Sequence, residues 1–238
     1  MPSDPLILGF DTSSAQCAVA LMCGKRVMAG MYEEMDKGQA ERLMPMVKKV
    51  MAQGGTPLTN LDAIAVGIGP GNFTGIRISV AAARGLALAL GIPAIGVSSF
   101  EVMRGVDSRR APARQMVSLP GPRGGLYIQL FEDGREAAEP AFVQNLSSAD
   151  WSALGGDSSA EVLGYSAGKI SALRPPSCKS TRHATSDATL PRGGFAVTLA
   201  RIAADKLVGR PPLPRPAPLY VRPADAAPFR ESEPILLS

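Results

Sequence analysis

One histidine and three cysteines are all that 238 residues hold of imidazole and thiol side chains. His183 stands alone, which excludes any site needing two imidazoles from this chain. Cys17, Cys23 and Cys178 are too few and too irregularly spaced for a disulfide framework or a thiolate zinc site. They read as reduced structural thiols. No apolar run approaches the ~18–20 residues of a membrane span. The first strand-like segment, Leu6 to Phe10, lacks the basic start and longer apolar core of a signal peptide. A cytosolic location without membrane association is the expectation.

What is present fits a globular α/β protein, with 45% hydrophobic and 19% charged residues. Charge is unevenly placed. Residues 1–103 balance eight basic against eight acidic side chains, so residues 104–238 hold all of the net +4. Arg104, Arg109, Arg110, Arg114 and Arg123 cluster against Asp107 alone. Such a run could meet phosphate, or it could be a solvated linker face. Nearby aromatic residues are too few for base stacking.

Hydrophobic patterning predicts strands at Leu6–Phe10, Cys17–Met22 and Arg26–Tyr32, then a helix over Gln39–Gln53 with Pro45 inside it. Thr56-Pro57 reads as an N-cap with proline at the first helical position. Ala63–Ile68 is a fully apolar strand, expected at a sheet centre. A helix follows over Thr74–Leu90, charged only at Arg77 and Arg84, which share a face. Ser79, Ala81, Ala82, Ala83, Gly85, Ala87 and Ala89 keep it slim. Ala94–Val97 is a strand, and Ser98 with Glu101 forms a capping-box pattern. The second half repeats the order. Strands are expected at Gln115–Leu119, Leu126–Phe131, Glu136–Val143 and Glu161–Gly164. Asp133-Gly134 reads as a hairpin turn. Ser147 or Ser148 caps a short helix near Trp151, residues 174–192 read as a loop, and Phe195–Leu207 is a helix. The proline-rich stretch 210–218 is extended, and Leu219-Tyr220-Val221 is a short apolar anchor. This implies a duplicated α/β architecture. The expected units are an N-terminal domain over 1–103, a degenerate second copy over 104–210, and a tail over 211–238 that packs back on the first domain.

Asp11-Thr12-Ser13 ends a buried strand. Hydroxyls and backbone N–H groups in such a turn can hold phosphate, and the carboxylate can hold magnesium through water. A capped strand end explains the triplet equally. The turn from Gly69 through Gly71 to Gly75 is neither a P-loop nor a dinucleotide fingerprint. Its glycines permit close approach, and the helix beginning near Thr74 offers N–H groups to an anion. The corresponding turn of the second half, Leu119-Pro120-Gly121-Pro122-Arg123-Gly124-Gly125, holds no carboxylate that could act as a general base.

Four stretches resemble the TsaB (YeaZ) family. They are Leu8-Gly9-Phe10-Asp11-Thr12-Ser13, Ala40-Glu41-Arg42-Leu43-Met44-Pro45, the run from Gly69 to Arg77 continuing to Gly85-Leu86-Ala87, and Pro218-Leu219-Tyr220-Val221-Arg222. The resemblance implies an actin-like (ASKHA) duplicated two-domain fold, each half a mixed sheet with flanking helices, in which Asp11, Thr12 and Ser13 form a degenerate phosphate loop. It implies a non-catalytic subunit in forming threonylcarbamoyladenosine beside the anticodon of tRNAs that read A-starting codons. The implied partners are a TsaD-like catalytic paralogue, a TsaE-like ATPase, tRNA through the complex, and a second copy when the chain is alone. ATP or ADP and a metal would sit in the partner subunits and none in this chain. The implied interface lies on the first two helices, at Leu43, Met44, Val47, Met51, Phe73, Arg77, Ala81 and Arg84. Gln39 replaces a histidine frequent in the family, and Pro120 stands where an acidic residue is common. Two other readings stay open at this point. One is an actin-like kinase or ATPase using Asp11; the other is a tRNA-binding module using Arg104 to Arg123.

Overall fold

The computed structural model describes residues 4–105, 113–146, 151–152, 154–157, 159–175, 185–187, 194–209 and 213–222. Cys178, His183, Arg109, Arg110, the serine cap at 147–148 and the tail beyond Arg222 lie outside them.

The first half runs β1 (Leu6–Asp11), β2 (Gln16–Cys23), β3 (Arg26–Glu34), α1 (Gln39–Gln53), β4 (Ala63–Gly67), α2 (Phe73–Leu90), β5 (Ala94–Val97) and α3 (Ser99–Arg104). Its strands form a five-stranded sheet in the order β3-β2-β1-β4-β5. β1 pairs antiparallel with β2 and parallel with β4. β1, not β4, is therefore the central strand, although β4 is buried throughout. The expected capping box forms, with Glu101 N–H donating to Ser98 Oγ at 3.2 Å and Ser98 N–H to Glu101 Oε2 at 2.9 Å. The cap expected of Thr56 does not. Pro57 itself caps the short turn Leu58–Asn60, and the Thr56 hydroxyl instead accepts from Asn60 Nδ2 at 3.3 Å. α1 runs unbroken through Pro45, which faces solvent, so the Glu41 carbonyl that loses its helical donor is open to water.

The second half is β6 (Arg114–Pro120), β7 (Leu126–Glu132), β8 (Arg135–Glu136), β9 (Ala141–Val143), β10 (Glu161–Gly164), α4 (Ala167–Ser171), β11 (Thr185–Asp187) and α5 (Phe195–Gly209). Its sheet order, β8-β7-β6-β10-β11 with β9 also on β7, reproduces that of the first. Asp133 and Gly134 both take positive φ in the β7–β8 turn, as an Asp-Gly hairpin requires. The strand expected over Glu136–Val143 is split into β8 and β9. Pro140 has no N–H to offer a ladder, and the chain leaves β7 there. Thr185–Asp187, expected as loop, is a strand parallel to β10.

Sheet coverage crosses between the two halves. α1 and α2 bury one face of the first sheet around Leu8, Phe10, Val47, Ile64 and Val80. The opposite face is covered by α5, through Phe195, Leu199, Ala200 and Ala203 against Ile7, Ala65 and Val97. α5 lies in the sequence of the second unit but belongs to the core of the first. Conversely Phe100 and Met103 of α3 bury against Val117, Leu119 and Phe131 of the second sheet. Each half lends its last helix to the other. A buried Phe or Leu stabilises by roughly 1.5–3 kcal/mol, so this exchange ties the halves together through their cores. Lys206 of α5 reinforces it from Nζ, 2.9 Å from the Gly96 carbonyl and 2.8 Å from Glu101 Oε1.

α2 also corrects the reading of apolar runs. Its 18 residues are long and apolar enough by composition to cross a membrane. Here Ile76, Val80, Ala83 and Ala87 instead pack on the sheet.

Candidate functional site

β1 delivers Asp11, Thr12 and Ser13 to the C-terminal edge of the first sheet, where all three are buried. The turn between β4 and α2 closes over them. The Asn72 N–H donates to the Ser13 carbonyl at 2.6 Å, and the Thr12 hydroxyl donates to the Gly75 carbonyl at 2.7 Å. The glycines make this closure possible. A Cβ at Gly71 would collide with the Ser13 carbonyl, one at Gly75 with the Thr12 carbonyl, and one at Gly67 with Asp11 Oδ1. Gly69 contributes a positive φ of 89° and accepts from the Ser99 N–H at 2.7 Å. The expectation that the turn presents free helical N–H groups to an anion is thus only partly met. α2 begins at Phe73, and its cap Asn72 takes the Gly75 N–H at 2.9 Å.

Asp11 receives the Ser13 N–H on Oδ2 at 3.0 Å, while Oδ1 has no partner among the described residues. Burial raises its pKa above the usual 3.8, and the neighbouring Ser13 and Gln16 offset part of that. Burial likewise pushes the Cys17 thiol up to about 11, making it a poor nucleophile. At the equivalent edge of the second sheet, Pro120 closes the β6–β7 ladder opposite Leu126, as Asp11 closes β1–β2 opposite Ala18. The first strand of each half thus ends its hairpin ladder on a different residue, Asp11 in one and Pro120 in the other.

The expected interface residues separate into two groups. Leu43, Val47 and Met51 are buried in the chain's own core, with Met46 and Val50, so they do not form an outer surface. Met44 is half-buried against the same cluster. The solvent side of α1 carries Ala40, Glu41, Pro45, Lys48 and Lys49. Arg42 ties α1 to β3, its Nε donating to Glu33 Oε2 at 2.6 Å with a second contact from Nη2 to Oε1. α2 differs. Thr74, Arg77, Ala81, Arg84 and Leu88 are all exposed, and Leu88 at 84% is the most exposed of the large apolar residues described. Their 3-4-3-4 spacing lines one stripe of the helix.

Tyr220 was not among the expected interface residues, yet it completes this region. The extended stretch after α5 crosses to the first sheet, where the Leu219 N–H donates to the Ile68 carbonyl at 2.8 Å. Leu219 and Val221 pack beside the second-sheet core. Tyr220 lies 5.0 Å from Phe73 between ring centroids, and the Arg77 guanidinium stands 3.7 Å over the Phe73 ring. A tyrosine flanked by Leu219 and Val221 after a proline run was the signal available in the sequence.

Two arginines of the basic stretch, Arg104 and Arg114, are engaged within the chain. Arg104 stacks over Phe131 at 4.2 Å and donates to Gln115 Oε1 at 2.9 Å. Arg114 pairs with Asp157 at 3.1 Å and Glu132 at 3.6 Å.

Two half-units of identical strand order, each closed by the other's last helix, define an actin-like duplicated α/β protein. The family model described as TsaD, tRNA N6-adenosine threonylcarbamoyltransferase, matches residues 33–161, more than half of the sequence. The tRNA threonylcarbamoyladenosine biosynthesis protein TsaB of Escherichia coli is 37% identical over 122 residues, covering 51% of this chain and 52% of that protein. The TsaB of Bacillus subtilis is 32% identical over 151 residues, 61% of this chain and 63% of that one. These alignments span about half to three-fifths of the curated relatives' length. A solved structure of YeaZ from Pseudomonas aeruginosa superposes with a TM-score of 0.62 at 28% identity, covering 85% of this chain and 93% of that one. The chain belongs to the family that this model describes, and within it is similar to the TsaB (YeaZ) proteins.

Proposed function

We propose that this chain is a non-catalytic subunit of the machinery that forms threonylcarbamoyladenosine in tRNA, acting by docking on a TsaD-type catalytic paralogue. The single observation that carries this reading is the closure of the β1 turn. Asp11, Thr12 and Ser13 sit in the position of a phosphate loop, but the glycine turn fills the space above them. The second supporting feature is the exposed stripe on α2, a slim helical face with little of its own chain over it. Small residues let a partner helix approach closely, and burial of Leu88 would contribute roughly 1.5–3 kcal/mol. In this reading ATP or ADP and a metal are held by the partner subunits, including a TsaE-type ATPase, and tRNA is met through the assembled complex.

The test is co-elution of the purified chain with the TsaD-type paralogue of the same organism, followed by tRNA modification with and without this chain. The reading expects a stable complex, modification that depends on this chain, and no nucleotide turnover by the chain alone. Separate elution would reject it, and turnover abolished by Asp11→Ala would reject it in favour of an actin-like ATPase.

A further inference from the structure

Beyond the exposed stripe, α2 ends in a groove. Its C-terminal turns, the Gly91–Ala94 connection and the proline-rich stretch at 213–216 enclose a cavity of about 470 Å³. Ile92, Leu213 and Pro216 give it an apolar floor, and Arg84 and Leu88 stand on its wall with Arg215 at the rim. Among the described residues no carboxylate lines it. Among the described residues neither Arg84 nor Arg215 has an ion-pair or hydrogen-bond partner, and both are exposed. Arg77, by contrast, is held by Tyr220 and Phe73. Two unpaired guanidinium groups over an apolar floor are complementary to carboxylates next to an aliphatic side chain.

We propose that this groove takes an acidic, aliphatic-bearing segment of the partner protein that docks on α2. The inference rests on the docking reading above and adds the chemistry of what is bound. Continuity argues for one and the same partner, because Arg84 and Leu88 belong both to the α2 stripe and to the groove wall. Charge argues against a second copy of this chain as the occupant. Two α2 stripes packed on each other would bring Arg77 and Arg84 of each against those of the other, with no carboxylate on the stripe to neutralise them. Like charges placed face to face oppose association. Carboxylates on the partner would remove that opposition and fix the register by bidentate contact with the guanidinium forks.

The experiment uses the full chain and the TsaD-type paralogue, with affinity measured by calorimetry between 50 and 500 mM salt. Arg84→Glu/Arg215→Glu is compared with wild type, with thermal unfolding of each chain as the folding control. Arg84→Gln/Arg215→Gln serves as a milder pair. The expected result is a Kd weakened on the order of tenfold or more by the charge reversal, a smaller loss for the glutamine pair, and a flatter salt dependence for both. If wild type fails to bind the paralogue, the docking reading and this inference both fall. If wild type binds and both variants bind equally well with the same salt dependence, only this inference is overturned. It is also overturned if the reversal changes self-association of this chain and leaves paralogue binding untouched, since the occupant would then be a second copy.

Discussion

Arg77 Nε donates to the Tyr220 hydroxyl at 2.7 Å, joining residues 143 positions apart in the chain. The same guanidinium lies over the Phe73 ring, so one arginine fastens the extended C-terminal stretch to the start of α2. The contact is partly exposed, with Tyr220 at 44%. A hydrogen bond to a charged group is worth about 1.5–3 kcal/mol when sheltered, and solvent reduces that here. Tyr220→Phe is expected to cost about 1 kcal/mol or less, and Tyr220→Ala about 2 kcal/mol because the ring contacts go as well. Urea unfolding with coincident probes measures both. Equal losses for Phe and Ala would show that the hydroxyl, not the ring, holds the stretch.

The two glycines of α2 at 75 and 85 separate close approach from helix propensity. Gly75 has no room for a Cβ, which would enter the Thr12 carbonyl. Gly85 has nothing within 4 Å of that position and faces solvent. Gly75→Ala should therefore destabilise by about 3 kcal/mol or more through backbone displacement. Gly85→Ala should stabilise by up to about 1 kcal/mol. Paired denaturation curves decide it, and a tolerated Gly75→Ala would mean that the turn is not clamped on Asp11-Thr12-Ser13.

How much of this was legible follows from sequence distance. The Ser98–Glu101 capping box, the Asp133-Gly134 turn and the limits of α1 are local. Their residues lie within a few positions of one another, and the side chains themselves supply the signal. The exchange of α3 and α5 was not legible. An alanine-rich helix with Phe195 and Leu199 on one face shows that it must cover a sheet, but both halves hold largely apolar strands and either could accept it. The same holds for Thr185–Asp187, too short to show a period, whose identity as a strand comes from its pairing with β10. At the site, the sequence pointed to the Asp11 turn and the Gly69–Gly75 turn as separate features. That one closes the other depends on backbone contacts between residues about 60 apart. On α1, the three-to-four spacing of Leu43, Val47 and Val50 and of Met44, Val47 and Met51 reads as one apolar face, and of these Leu43, Val47, Val50 and Met51 are turned inward.

Asp11 makes stability depend on pH with a definite sign. Burial raises its pKa in the folded chain above 3.8, so the folded state holds this proton more tightly than the unfolded state. The stabilising contribution is therefore fully present at low pH. It is lost as pH rises from about 4 through the raised folded value. Asp11→Asn keeps the shape and an acceptor for the Ser13 N–H but cannot ionise. The stability of the variant minus that of wild type should then grow as pH rises above about 4, and level off once wild-type Asp11 is ionised. Taking the difference cancels the other titrating groups. A difference that shrinks with rising pH would mean that the carboxylate is stabilised as an anion.

Ala81→Trp tests the α2 stripe without touching the core. Ala82 is less useful, because it is half-buried and packs beside the Leu8–Phe10 cluster, so a bulky residue there would disturb folding and assembly together. Ala81 is exposed, one turn from both Arg77 and Arg84. A tryptophan there should leave unfolding of the isolated chain within about 0.5 kcal/mol of wild type. On a face packed against a partner helix, the added ring has no space to enter, and overpacking costs about 1–3 kcal/mol. That corresponds to a Kd for the TsaD-type paralogue weakened by roughly fivefold to more than a hundredfold. Unchanged affinity with unchanged stability would place the docking face elsewhere. The solvent side of α1, with Lys48 and Lys49, would be the next surface to probe in the same way.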